Sequence, residues 1–324
     1  MKNKKYVFFI LFLGIFLILI TGCSNYDEFS NVMIIDGIGI DKNDNKYIVS
    51  FNTYLENDKY KVINLEVNNL DDAFNKIYLK TNKKIYLSHL KILLLSSNLN
   101  NNDITDIINI FNNRDDLRGS FLVSLIDNYD NNIFENESLF LVNLINNNYY
   151  ESGDVYPTTY NDIIYDYLNL DISYLPVINN NNLSINGVHS IFSEYRFYSL
   201  DESKYLNLIM NNLDSFNLEI DNEEVSIKKT KVFYKVDRNN IDIHINILYS
   251  GIEKNKLSKF LNKEITSLLE RDINTNYFLD LIKKYNYSYY KEHDSIKINF
   301  NLFISLEKED ISNIKGDELI EKDY

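Results

Sequence analysis

The stretch IDGIGIDKNDNKYIVSF, residues 35–51, contains residue types that could bind a dinucleotide or a calcium ion. A dinucleotide loop needs a third glycine and a helix directly after the strand, but a polar turn and another strand-like run follow GIG. A calcium loop beginning at Asp41 needs glycine at its sixth position and glutamate at its twelfth, where Lys46 and Asn52 stand. Two apolar runs around a polar centre at 42–45 instead predict a β-hairpin, in which the glycines indicate close backbone packing or a bulge.

The histidines form no metal-binding or catalytic pattern. The chain has four, His89, His189, His244 and His293. None has a second histidine or a cysteine at the spacing that zinc sites use. A Gly-x-Ser-x-Gly nucleophile motif and a phosphate-binding loop are also missing from the sequence. We therefore predict neither catalytic residues nor a metal site.

Cys23 is the only cysteine, and it stands at the end of a signal peptide. Residues 1–22 begin with a short basic segment, continue with an apolar run and end with small residues, as in segments that are removed after export. The ending ITGC resembles the bacterial lipobox. That resemblance implies cleavage after Gly22 and attachment of diacylglycerol and an N-acyl chain such as palmitate to Cys23. The alternative is a signal anchor that is never cleaved. A single cysteine excludes a disulfide within the chain.

The formal net charge is −14, and it limits what the body of the protein can bind. An acidic body does not bind nucleic acid by counterion release, and anionic lipid head groups would repel it. No second apolar run is long enough to cross a bilayer. We therefore expect the lipid on Cys23 to hold the protein at the outer face of the cytoplasmic membrane.

Strands and helices alternate in the first half of the chain. Period-2 and buried apolar runs predict strands at 32–40, 47–55, 61–67, 84–96 and 119–126. Apolar residues at helical spacing predict helices at 70–81, behind Asp103, at 137–147 and at 161–170. This order is typical of a layered α/β or α+β architecture.

The pattern breaks at the asparagine run 179–182, which predicts a linker or a long loop. Beyond it the sequence predicts a strand at 183–192, a helix at 203–213, a hairpin of 225–236 with 241–250, a helix along 257–269, a helix at 276–285 and a strand at 295–306. The predicted fold class is α+β, with mixed sheets, helices packed on them, and two or three α/β subdomains after the signal peptide. The predicted domains are residues 1–22, 23–182 and 183–324.

Four segments, taken in order, resemble the spore germination receptor C-subunit lipoproteins, the Ger(x)C or GerAC-like family. They are ITGC ending at Cys23, VMIIDGIGID ending at Asp41, KIYLSHLKILLL containing His89, and RDDLR from Arg114 to Arg118. The resemblance covers most of the chain. It also indicates that residues 183–324 form a shortened version of the family's C-terminal domain.

The resemblance implies a lipid-anchored subunit that is not an enzyme and acts in spore germination. Its implied partners are two integral membrane subunits, of A and B type, in the inner spore membrane, and the complex would detect small nutrient germinants. No cofactor is implied beyond the covalent lipid. Asp41, His89, Arg114 and Arg118 match family positions, and we expect structural or interface roles for them.

The sequence does not favour two other functions, a solute-binding lipoprotein and a surface enzyme. A solute-binding lipoprotein of a membrane transporter usually has two larger lobes and a hinge, and no cleft pattern of that kind is visible. A surface enzyme would need a nucleophile or a set of metal ligands, and neither is visible in the sequence.

Overall fold

The computed structural model describes residues 31–55, 59–130, 132–170, 172–192, 195–293 and 296–308. The predicted signal peptide, Gly22 and Cys23 lie outside these residues. The described part contains thirteen strands in two mixed sheets, eight α-helices and one short 3₁₀-helix. The α+β class predicted from the sequence is confirmed.

Nine strands form the first sheet. They are β1 (Val32–Asn43), β2 (Lys46–Leu55), β3 (Lys59–Val67), β4 (Lys84–Tyr86), β5 (Ile92–Ser96), β6 (Leu122–Asp127), β7 (Ile172–Asn179), β8 (Ser184–Phe192) and β9 (Phe197–Ser199). The order across the sheet is β3-β2-β1-β5-β6-β7-β8-β9, and β4 pairs with the start of β1. The four central strands β1, β5, β6 and β7 are parallel, and antiparallel strands flank them on both sides.

The predicted hairpin at the start of the sheet is confirmed. Strands β1 and β2 pair antiparallel as far as Asn43 and Lys46, and Asp44 in the turn has a left-handed φ of 49°. The register shifts between Ile35 and Gly37, so the strand carries a bulge. A side chain at Gly37 would collide with the ring of Phe134, so the backbone can approach this ring only because residue 37 is glycine.

Helices cover both faces of this sheet. On one face lie α1 (Leu70–Thr81), α2 (Asn101–Asn112) and α4 (Tyr160–Asn169); on the other lie the 3₁₀-helix (Ile133–Asn136) and α3 (Ser138–Ser152). Strand β5 is buried along its whole length, and alternate residues enter the two cores: Leu93 on the first face and Leu94 on the second. This double burial is why its run of apolar residues shows no polar alternation.

Side-chain caps determine where several helices begin. Asn69 accepts a hydrogen bond from the backbone N–H of Asp71, and α1 begins where the sequence predicts. Helix α2 begins earlier than the apolar pattern indicates, because Asn100 and Asp103 form a reciprocal capping box.

The predicted linker at 179–182 is instead a short hairpin turn. Strands β7 and β8 pair from Ile172 with Phe192 to Asn179 with Ser184, and the Asn179 side chain accepts a hydrogen bond from the backbone N–H of Asn181 at 3.0 Å. The boundary predicted after Asn182 therefore falls between two paired strands of one sheet. Strand β7 was missed because Pro176 interrupts its apolar pattern.

The second sheet has the order β10-β11-β12-β13. Its strands are β10 (Phe216–Ile220), β11 (Glu223–Asp237), β12 (Asn240–Ser250) and β13 (Asn299–Lys308). The remaining helices are α5 (Leu200–Ile209), α6 (Lys254–Asp272), α7 (Asn276–Tyr285) and α8 (Tyr287–Glu292). Helix α5 contacts β8 and β9 of the first sheet as well as α6 and β11, so it joins the two sheets.

Candidate interaction surface

The four residues predicted to have structural or interface roles lie at opposite ends of the parallel strands. Asp41 lies at the carboxyl end of β1. His89 precedes β5, and Arg114 and Arg118 lie in the loop that precedes β6. Since these strands are parallel, the last three residues lie at their amino ends. The structure therefore brings the segments KIYLSHLKILLL and RDDLR to one end, and Asp41 lies at the other.

Two hydrogen-bonded loops form the amino end. The hydroxyl of Ser88 donates to the carbonyl oxygen of Asp116 at 2.9 Å. Arg114 donates from Nε and Nη2 to the two carboxylate oxygens of Asp116 at 3.0 and 2.9 Å. The Arg114 guanidinium also lies 4.4 Å from the centre of the Phe74 ring. Arg114 thus fastens the loop after α2 to helix α1, and the hydrogen bond from Ser88 joins the same loop to the one that carries His89.

Exposed apolar and basic side chains lie around these loops. His89 is exposed and packs against the ring of Tyr86, with 5.7 Å between ring centres. Arg118 is also exposed. On α1, Tyr78 is 50% and Leu79 is 79% exposed. We call this region, Tyr78–Leu79, Tyr86, His89 and Arg114–Arg118, the amino-end surface.

A groove runs through the amino-end surface between α1, β4 and the loop after α2. Its lining residues are Phe74, Asn75, Tyr78, Lys84, Ile85, Asn113, Arg114, Asp115 and Asp116. The groove offers aromatic rings, a lysine and an arginine beside carboxylates. This mixture suits contact with another protein chain, where aromatic residues and arginine are enriched.

The carboxyl end of the strands has a different chemistry. Asn98 donates to a carboxylate oxygen of Asp41 at 3.4 Å, a weak contact. An open depression there is lined by Asp41, Ile48, Asn128, Tyr129 and Asp130. Burial raises the pKa of Tyr129, so its hydroxyl stays protonated and donates to the Ser50 hydroxyl at 2.7 Å. In the described residues, no group of three His, Cys, Asp or Glu side chains could hold a metal ion.

A buried polar cluster around Asp36 was missed by sequence reasoning. One carboxylate oxygen of Asp36 accepts from Ser138 Oγ at 3.0 Å, and Asn52 Nδ2 donates to the same hydroxyl at 3.0 Å. The other oxygen lies 3.5 Å from Lys91 Nζ. Burial raises the pKa of Asp36, while Ser138 and Lys91 oppose that shift. The only signal in the sequence is an aspartate inside the apolar run VMIIDGIGI.

The Asp36 cluster connects the first sheet to helix α3 and to the loop that carries His89. Ser138 begins α3 on one face, and Lys91 follows the loop that carries His89. The backbone N–H of Lys91 also donates to the Asp36 carbonyl oxygen at 2.9 Å. The cluster therefore fixes the amino-end loop to the buried centre of β1.

Among the helices that the structure describes, none has the length and apolar character needed to span a membrane.

Comparisons with known proteins extend these findings. A family model described as the spore germination protein N-terminal domain matches residues 25–180. A solved structure titled "Crystal Structure of the GerBC protein" is similar in fold, with a TM-score of 0.52 and 19% sequence identity. That similarity covers 84% of this chain and 96% of the other. The comparison with curated proteins found no match.

Proposed function

We propose that the chain, whose residues 25–180 match the spore germination protein N-terminal domain, is the lipid-anchored, non-catalytic C subunit of a nutrient germinant receptor of the GerAC-like family. The observation that carries the proposal is the family match over residues 25–180, which begins just after Cys23. The matched residues include the hairpin, the segment with His89 and the loop from Arg114 to Arg118. The match does not favour a solute-binding lipoprotein.

The proposal places the protein on the outer face of the cytoplasmic membrane, which is the inner membrane of the spore. The lipobox ITGC supports an anchor of diacylglycerol and an N-acyl chain on Cys23. Two lipid signals of this kind together give stable attachment, at about 0.8 kcal/mol for each buried CH₂ group. The partners in this proposal are integral membrane subunits of A and B type.

The amino-end surface is the part of the protein that we assign to partner contact. Leu79 is 79% exposed and Tyr86 is 38% exposed. Tyr78, the neighbour of Leu79 in sequence, lines the groove together with the half-buried Arg114 and Asp116. Exposed apolar side chains next to charged groups are typical of protein interfaces. The cluster of Asp36, Ser138 and Lys91 holds this surface rigidly on the sheet.

The first experiment tests the complex itself. The native lipoprotein and its Cys23→Ala form would be extracted from spore membranes with detergent, purified, and the associated proteins identified by mass spectrometry. We expect two polytopic subunits with the native form and a large loss of both with Cys23→Ala. Recovery of an ABC-type permease would instead favour solute binding, and recovery of neither would contradict a stable receptor complex.

A second experiment tests the assigned surface with a matched pair of variants. Leu79→Glu places a charge on the amino-end surface, whereas Leu168→Glu places it on α4, where Leu168 is 72% exposed. We expect Leu79→Glu to reduce recovery of the membrane subunits at least tenfold, because a buried unpaired charge is costly at an interface. Leu168→Glu should leave recovery unchanged. Equal behaviour of the two variants would show that the surface is wrongly assigned.

A further inference from the structure

A cleft lies between the two sheets and belongs to neither the amino-end surface nor the carboxyl-end depression. Its walls come from the loop after α3, from α4 and β7 of the first sheet, and from α5 and α7 beside the second. The lining residues are Tyr156, Thr158, Asp162, Asp166, Leu170, Tyr174, Asn207, Met210, Asn212 and Tyr277. We call it the inter-sheet cleft. Small-molecule sites occur preferentially at such junctions between structural units.

The charge in the inter-sheet cleft is negative and has no matching cation. Asp162 and Asp166 are its only charged lining residues among those the structure describes, and no lysine or arginine lines it. Asp162 accepts hydrogen bonds from the N–H and hydroxyl of Thr159 at 2.8 and 2.7 Å, so it caps α4. Within the described part of the chain, Asp166 accepts its hydrogen bond from a neutral donor, the hydroxyl of Ser173 at 2.7 Å. Burial raises the pKa of Asp166 to about 7, and the negative charge of Asp162 adds to the shift.

Aromatic rings supply the rest of the recognition surface. Tyr156, Tyr174 and Tyr277 line the cleft, and burial raises the pKa of each, so all three are neutral at physiological pH. Tyr277 is held in place through its hydroxyl, 3.3 Å from that of Tyr234. The face of a neutral tyrosine ring attracts a cation, and this attraction grows when water is excluded.

We propose that the inter-sheet cleft binds a small organic cation, whose ammonium group pairs with Asp166 and contacts the tyrosine rings. The inference rests on the geometry and charge of the cleft and is independent of the proposed receptor role. A partly buried carboxylate whose partner is a neutral hydroxyl gains more from a bound cation than a solvated carboxylate would. The neutral lining, Leu170 and Met210 among it, would contact the apolar part of the ligand.

The size and charge of the cleft restrict the ligand further. Its volume of about 210 Å³ suits a small ligand. Because no lining residue is cationic, a ligand carboxylate finds no partner there. We therefore expect simple amines to bind more tightly than zwitterions, and zwitterions more tightly than acids.

Three probes of similar shape test the proposal: butylammonium, butyramide and butyrate. Their binding to the detergent-solubilised full chain would be measured at pH 8 by ligand-observed NMR titration. We expect saturable binding of butylammonium, at least tenfold weaker binding of butyramide, and none of butyrate. Equal binding of the three probes, or no saturable binding of butylammonium, would overturn the proposal.

Matched variants locate the binding in the cleft. Asp166→Asn should weaken butylammonium binding at least tenfold, while Asp106→Asn, at an exposed position on α2, should leave it unchanged. Tyr156→Leu should weaken binding and Tyr156→Phe should preserve it, because phenylalanine retains the ring face. Thermal unfolding of each variant would show that it is folded. Unchanged affinity in a folded Asp166→Asn protein would refute the assigned site, whatever the pull-down experiments show about the receptor complex.

Discussion

The two ends of the parallel strands in the first sheet differ in the chemistry that they present. The amino end has the exposed side chains of Tyr86, His89 and Arg118 and the ion pair of Arg114 and Asp116. The carboxyl end presents an open depression with aspartates and asparagine around Tyr129. In open α/β sheets ligands usually bind at the carboxyl ends of the strands. Here two of the three family-like segments within the described residues meet at the amino end, so surface chemistry locates the candidate site better than fold analogy does.

The difference also concerns how firmly each end is held. Arg114 makes two hydrogen bonds to Asp116 and lies over Phe74, whereas Asp41 receives one long hydrogen bond from Asn98. The Asp36 cluster lies between the ends and connects to the amino end through Lys91. We therefore expect mutations at the centre of β1 to cost the most stability, those at the amino end less, and those at the carboxyl end the least.

The largest effect is expected for Gly37→Ala. The added Cβ would lie 2.6 Å from the Phe134 ring and would also collide with the Ser138 hydroxyl, inside the buried cluster. We expect a loss of about 2–3 kcal/mol in the free energy of unfolding, because overpacking in a closed core cannot relax. Chemical denaturation would measure it.

Gly119→Ala is the matched control for that change. There the added Cβ would meet only the side chain of Asn161, which is exposed and can move aside. The loss should therefore be clearly smaller. If both alanine variants lose the same stability, the close packing at Gly37 does not have the importance that we give it.

A direct comparison of the two ends gives the next largest effect. Arg114→Ala removes a bidentate ion pair and a cation–π contact, both half-buried, and should lower the free energy of unfolding by about 1–2 kcal/mol. Arg114→Lys should recover only part of this, since lysine lacks the two-pronged geometry. Asp41→Ala removes one weak hydrogen bond and should cost about 0.5 kcal/mol or less. A larger loss at Asp41 than at Arg114 would reverse the comparison.

The smallest effect concerns pH. The pKa of Asp36 is raised in the folded protein because burial disfavours its charged form, although Ser138 and Lys91 offset part of this. The folded state therefore binds this proton more tightly than the unfolded state does. Protonated Asp36 therefore makes its full contribution to the free energy of unfolding below the pKa of the unfolded state, near 3.8. This contribution is lost as the pH rises through the pKa of Asp36 in the folded state.

Asp36→Asn tests this pH dependence. The free energy of unfolding of the wild type, measured relative to Asp36→Asn, should fall between about pH 3 and neutrality. Denaturation curves of both proteins at several pH values would measure the difference. A rise in the wild type's relative stability over this range would mean that Lys91 outweighs burial and lowers the pKa of Asp36.

Local patterns in the sequence predicted many elements well. Helices α1 and α7 have the predicted bounds, Leu70–Thr81 and Asn276–Tyr285, because a clear apolar face and polar start and stop residues lie close together in sequence. The hairpin of β11 and β12 was predicted from alternation and its polar turn. Helix α5 begins three residues before the prediction, since Ser199 and Glu202 form a capping box ahead of the apolar positions.

Other features depend on contacts between distant residues, and no local pattern shows them. The asparagines 179–182 look like a linker because polar runs usually separate units, yet β7 and β8 pair across them. The cluster of Asp36, Asn52 and Ser138 joins residues up to 102 positions apart. The inter-sheet cleft needs α4, β7, α5 and α7 together, so neither half of the sequence contains it.

The sequence by itself therefore determined the α+β class, the hairpin at 35–51 and the family resemblance, because these depend on short-range periodicity and on the order of local motifs. The predicted lipid anchor at Cys23 depends on the sequence alone as well. Tertiary structure decided which family positions share a surface, which groups pair with the buried carboxylate of Asp36, and that Asp166 lines one cleft with Tyr156, Tyr174 and Tyr277. The physical reason is that burial and charge pairing arise only when strands and helices distant in sequence are packed together.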